Sequence, residues 1–255
     1  MALFVCHAIP TVILLLLSYC CDALYLSAKI IPVLHNLSPE LVPRVLDAIP
    51  TCIRCLSVSL RHSGSMDGLE SAIVYSNSKH THLDRHIGAS TAVSTTQIGS
   101  AYKVGSSFIS TTRTSKSLIE ATINISEALR EMRMISGVLT QQDVELALST
   151  GSDMIKFYPS TEISPAELRK MFINLQESGT ISLIENDVYY KNKRLPIFMS
   201  GGVRLQDISQ YIASGVDGFA VGIDCLEDPA EINKKLVAFV NEYTLNQVNK
   251  ESTKE

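Results

Sequence analysis

Asp153-Met154-Ile155-Lys156-Phe157-Tyr158-Pro159 is the stretch on which the reading of this chain turns. An apolar run leads to one lysine, two aromatics follow, and a proline stops the run. That is the pattern of a short buried β-strand ending at a turn. A lysine carried from such a strand end into an apolar site loses hydration. Desolvation disfavours the ammonium, lowers the pKa and frees the amine to attack a carbonyl. A strand lysine that snorkels to water is the alternative reading, and the surrounding chain has to decide between them.

On both sides of Lys156, short β-rich runs alternate with amphipathic helical runs. Strand patterns fall at 29–34, 53–60, 86–90, 107–110, 132–136, 154–158, 195–200 and 218–221. Helical patterns fall at 39–48, 66–76, 95–104, 115–122, 141–150, 165–177, 205–214 and 229–248. Ser38 before Pro39 and Ser164 before Pro165 each set a cap residue ahead of a proline in the first helical turn. Several strands are unbroken apolar runs, as in parallel sheets covered on both faces. Eight strand–helix units predict an α/β fold, a closed (β/α)8 TIM barrel, with a doubly wound open sheet as the alternative. Residues 178–193 break the rhythm and read as a hairpin or inserted loop. The expected organisation is one barrel domain over 24–248 and a polar tail over 249–255.

The first 23 residues differ from the rest. An apolar run from Val12 to Leu17, then Cys21-Asp22-Ala23 with small residues at −3 and −1 of a cut before Leu24, is a signal-peptide pattern without the usual basic start. The expectation is a cleaved leader directing the chain into the secretory route, to the outside, an endomembrane compartment or a plastid reached through it. Pro10 and the short run disfavour a membrane span, which needs about 20 apolar residues. The 22 Lys+Arg against 26 Asp+Glu leave a net charge of −4 with no basic stripe, so no nucleic-acid partner is expected. Cys52-Ile53-Arg54-Cys55 has redox spacing, but residues i and i+3 of a strand face opposite sides, so packed strand thiols are expected. His80 and His82 lie in a polar stretch with only Asp84 near and read as a solvated loop, not a metal site. No cofactor is implied.

In a barrel of this kind, chemistry gathers where strands end. Here those positions hold Arg61 after the second strand, Thr91 after the third, Lys156 at the sixth, Ser200-Gly201-Gly202 at the seventh and Gly222-Ile223-Asp224 at the eighth. Glycines after strands seven and eight suit a phosphate held by backbone N–H groups.

These residues resemble the family of 2-keto-3-deoxy-6-phosphogluconate and 4-hydroxy-2-oxoglutarate aldolases over about 29–226. The resemblance rests on Ile30-Ile31-Pro32-Val33-Leu34, Leu56-Ser57-Val58-Ser59-Leu60-Arg61, Gly88-Ala89-Ser90-Thr91, Ser136-Gly137-Val138-Leu139-Thr140, Lys156-Phe157-Tyr158-Pro159 and Ser200-Gly201-Gly202-Val203. It implies a class I aldolase on a (β/α)8 barrel, commonly trimeric, hence a homotrimer here. It further implies that Lys156 forms an imine with a small 2-oxo acid and that Arg61 pairs with its carboxylate. Thr91 would bind the same end, and Gly201 and Gly202 would hold a distal phosphate or carboxylate.

The chain departs from that family at three places. Ser57 stands where the family's second strand carries a glutamate that moves protons, and such help is typically worth about 10²–10⁴-fold in rate. Glu162, after strand six, is a candidate substitute. Asp224 near a dianion is expected to repel it. Ser110-Thr111-Thr112 replaces a Ser-Pro-Gly turn, and a threonine does not suit positive φ. Two functional expectations follow: a lyase cleaving a 4-hydroxy-2-oxo acid, with or without a phosphate, to pyruvate and an aldehyde; or a relative that binds an oxo acid or anion without turnover.

Overall fold

The computed structural model describes residues 29–126 and 132–252. The leader expected over residues 1–23 lies outside the described residues. Eight parallel strands close into a barrel: β1 (Ile30–His35), β2 (Cys55–Ser59), β3 (His86–Ser90), β4 (Phe108–Ser110), β5 (Arg133–Val138), β6 (Met154–Phe157), β10 (Ile197–Ser200) and β11 (Gly218–Asp224). Between β6 and β10 the chain adds a three-stranded antiparallel meander, β7 (Ser182–Ile184), β8 (Asp187–Tyr190) and β9 (Lys193–Arg194). Closure is explicit: β1 pairs with β11 through Ile30↔Phe219 to His35↔Asp224, and with β2 through Val33↔Ser57. The open-sheet alternative is thereby excluded.

Helices α1 (Val42–Ala48), α2 (Ser65–Lys79), α3 (Thr95–Lys103), α4 (Lys116–Ser126), α5 (Gln141–Thr150), α6 (Pro165–Glu177), α7 (Ile208–Ala213) and α8 (Pro229–Ser252) return the chain between strands and after the last one. Their ends are set by local chemistry. Thr140 and Asp143 close a capping box on α5; Ser164 and Glu167 do so on α6, with Pro165 in the first turn. Each such cap is worth about 1 kcal/mol. Gly151, at φ 106°, ends α5 in a left-handed conformation that costs a glycine little. α8 runs through Ser252, so part of the stretch expected as a polar tail is helical. No helix among the described residues is long and apolar enough to cross a membrane.

The period-two alternation of the strands divides the interior into two layers. Outward residues such as Leu56, Val58, Ile155 and Phe157 pack under the helices in the larger core. Inward residues Ile31, Val33, Cys55, Phe108, Ile135, Met154, Phe198 and Ala220 plug the barrel floor. The Phe108 ring fills the space beside Gly88, where a Cβ would overlap it. Cys55 is therefore an interior packing residue, whereas Cys52 sits exposed in the turn before β2 and not in the strand. The meander is tied to the barrel by Arg194, which pairs with Asp187 and Asp217, while Asp217 also accepts the Ile197 amide hydrogen at 2.8 Å.

Candidate active site

Above the apolar floor the inward positions turn polar: Ser57 and Ser59 on β2, Ser90 on β3, Ser110 on β4, Lys156 on β6 and Ser200 on β10, all buried. Small hydroxyl residues leave a cavity of about 350 Å³ at the C-terminal ends of the strands. Arg61, Thr91, Lys156, Gly201 and Gly202 all line it. The five residues singled out in the sequence are thus brought together. A larger groove of about 760 Å³ between α5 and the meander holds none of them.

Lys156 is only 6% exposed. β6 is four residues long, and its alternation sends Met154 and Lys156 inward while Ile155 and Phe157 join the outer core. Burial pushes the ammonium down from 10.5 to about 8. Its Nζ donates to Ser110 Oγ at 2.5 Å. The snorkelling alternative fails, because the amine ends on a buried hydroxyl and not in water.

Arg61 follows β2 and is exposed at the rim, with its guanidinium 3.4 Å from the Tyr158 hydroxyl. Thr91 follows β3 with φ 63°, a left-handed backbone that is an outlier for a β-branched residue. Strain of this sort costs of order 1–3 kcal/mol and persists where surroundings impose it. Its hydroxyl lies 3.3 Å from Ser59 Oγ. Gly201 and Gly202 have φ 77° and 89°. A Cβ at Gly201 would stand 2.6 Å from the Tyr158 ring, and one at Gly202 would stand 2.7 Å from Thr161 Cγ2.

The expected departures resolve individually. Ser57 Oγ and Ser90 Oγ are buried without hydrogen-bond partners, a polar strip that suits a bound water or substrate oxygen. Glu162 ends a short 3-10 turn, is exposed and does not line the cavity. Asp224 also stays outside the lining. Asn36 Nδ2 and the Leu226 amide each donate to it at 3.1 Å, and the Asn36 bond leads in holding its carboxyl below the usual range. The Asp224 carboxylate is thus held by its own partners beside the cavity. Thr111 and Thr112 adopt no positive φ; instead Thr111 Oγ1 accepts the Gly137 amide hydrogen at 3.1 Å. The turn is rebuilt with side-chain bonds and without strain.

Sequence reasoning passed over two polar lining residues. His35 stands at the end of β1 in phase with inward Ile31 and Val33, so period-two alternation could have found it. Lys235, from α8, donates to the Gly222 carbonyl at 2.9 Å; one cation in a polar helix gives no such signal.

Fold and mouth place the chain among (β/α)8-barrel proteins whose strand ends surround a desolvated lysine. Residues 21–240 match the family model described as KDPG and KHG aldolase, which is most of the chain, so the protein belongs to that aldolase family. A comparison with curated proteins finds no match. Among solved structures, the chain is similar to KDPG aldolase from Legionella pneumophila with pyruvate captured at low pH as a covalent carbinolamine intermediate. That match has TM-score 0.64 and 19% identity and covers 88% of this chain and 96% of that one. It is also similar to 2-keto-3-deoxy-6-phospho-gluconate aldolase from Zymomonas mobilis, with TM-score 0.65 and 17% identity over 86% and 94% of the two chains. A 3-keto-L-gulonate-6-phosphate decarboxylase from Vibrio cholerae matches as well, with TM-score 0.59 and 14% identity over 86% and 98%. At such identities the likeness speaks for the fold.

Proposed function

We propose that the protein is a class I aldolase that cleaves a 4-hydroxy-2-oxo acid to pyruvate and an aldehyde through an imine on Lys156. The observation that carries this reading is the burial of Lys156 in the shared cavity, with its ammonium lowered to about 8. An amine near that value is partly neutral at physiological pH and can attack the 2-oxo carbon. Arg61 offers a planar fork to the substrate carboxylate, and Thr91 offers a hydroxyl to the same end. The amides of Gly201 and Gly202 and the nearby Lys235 ammonium favour a distal phosphate or carboxylate. Once the imine forms, its nitrogen is the electron sink for breaking the C3–C4 bond. The same reading takes the active form as a homotrimer, measurable by light scattering on the eluting protein, and the residues before Leu24 as a leader into the secretory route.

The test is reduction with borohydride in the presence of pyruvate, followed by peptide mass analysis. A stable adduct at Lys156 is expected, and its absence ends the imine reading. A binding barrel without turnover is the second reading, favoured by the unpartnered hydroxyl of Ser57 and the lack of any carboxylate among the lining residues. It holds if the adduct forms but no 4-hydroxy-2-oxo acid is cleaved, and if Ser57→Glu then brings cleavage about.

A further inference from the structure

Imine formation alone does not break a carbon–carbon bond. A base must take the proton of the C4 hydroxyl, and an acid must return one to C3. No Asp or Glu lines the cavity among the described residues. Lys156 is occupied by the imine on the reading above, on which this inference rests. Lys235 donates to the Gly222 carbonyl, and Tyr158 receives the Arg61 guanidinium. The remaining proton-exchanging side chain of the lining is His35.

The placement of His35 is built into the barrel. It is the last residue of β1, half-buried, and paired with Asp224 at the end of β11. Its Nε2 lies 3.4 Å from where a Cβ of residue 222 would stand, so the imidazole packs beside Gly222 at van der Waals distance. Charged groups reach it from three elements. Arg61 and His62 come from the loop after β2, Asp224 from β11 and Lys235 from α8. Burial is the largest influence, followed by Arg61 and His62. With Lys235 they hold the ring below its ordinary 6.5, against the pull of Asp224. The imidazole is therefore neutral at neutral pH, the form that accepts a proton.

We propose that His35 is the proton-transfer residue of this site: the neutral imidazole takes the C4 hydroxyl proton of the imine-bound substrate and returns it to C3. In the first step the O–H bond breaks, a C=O bond forms and the C3–C4 pair moves through C3–C2 to the iminium nitrogen. An aldehyde leaves, an enamine remains on Lys156, and His35 becomes imidazolium. In the second step the enamine takes that proton at C3, which restores the iminium and the neutral ring. Water then adds at C2 and releases pyruvate and the Lys156 amine. One proton has moved from oxygen to carbon, and no oxidant or reductant is involved.

The half-reaction that isolates this step is exchange of the pyruvate methyl hydrogens in deuterated water, followed by proton NMR. It should be run on the full-length wild type, His35→Ala and His35→Gln, beside the borohydride trap. Both variants should still form the Lys156 adduct within about threefold of wild type, which also reports that they are folded. Their exchange should fall about 10²–10⁴-fold, the ordinary worth of general acid–base help. Added imidazole should restore part of the exchange in His35→Ala, where a space is left, and not in His35→Gln. If the adduct forms and exchange stays within threefold of wild type in both variants, His35 has no such role while the imine reading stands. A wild type that forms no adduct removes the imine reading, and the role of His35 falls with it.

Discussion

Burying Lys156 costs the fold stability, and the sign follows from its proton. The folded chain releases that proton near pH 8, and the unfolded chain releases it near 10.5. Between these values the unfolded state binds more protons, so stability rises with pH across the window; below it the penalty is constant. Lys156→Met keeps the volume and removes the charge. At pH 7 this variant should be more stable by on the order of 1–3 kcal/mol, the lower end reflecting the partner lost by Ser110 Oγ. Urea midpoints measured from pH 7 to 10.5 should climb less in the variant than in wild type. Imine trapping should be abolished in it. A variant less stable than wild type at pH 7 would contradict the desolvation account.

At the scale of elements, the mouth depends on how β4 and β5 are clasped. Gly137 pairs with Lys156 across β5 and β6 and packs against the backbone of Thr111 and Thr112 so closely that a Cβ would overlap it. Its amide donates to Thr111 Oγ1, and its carbonyl accepts from Thr114 Oγ1 at 2.8 Å. A methyl group at Gly137 must push the end of β4 outward and take Ser110 away from Lys156. Gly137→Ala should cost about 1–3 kcal/mol in denaturant titrations, as overpacking does. It should also slow adduct formation several-fold, although residue 137 lies outside the cavity lining. Unchanged trapping kinetics would show that the clasp does not position the amine.

For the molecule as a whole, the decisive contact joins its two ends. β1 and β11 are separated by most of the chain, yet they pair in register along all six residues of β1. A chain ending at Asp217 loses β11 and α8 and leaves β1 and β10 as two open apolar edges. Such a chain should show no cooperative thermal transition by circular dichroism and should aggregate. A sharp transition would mean that the first seven barrel strands fold without closure. Closure also carries function, because it brings His35, Gly222 and Lys235 into the lining of the cavity that holds Lys156.

Much of this architecture was legible in the chain because its signals are local. β3, α5 and α6 begin and end where alternation, capping boxes and Pro165 put them. The mouth residues were legible as a set because strand ends in a barrel share one rim. The inserted segment at 178–193 stood out as irregular, but its three-stranded pairing and its tie through Arg194 to Asp217 did not. Nor did the side-chain directions that turn Asp224 toward Asn36 and leave Glu162 in solvent.

By itself, then, the order of residues determined the number of strand–helix units, the residues at the strand ends and the position of the lysine. These depend on periodicity and on chemistry within a few residues. Only the tertiary structure decided that Lys156 ends on Ser110, 46 residues away, and that His35 turns into the cavity beside Arg61 and Lys235. Burial and electrostatic field are sums over neighbours distant in sequence, and those neighbours exist only once the barrel has closed.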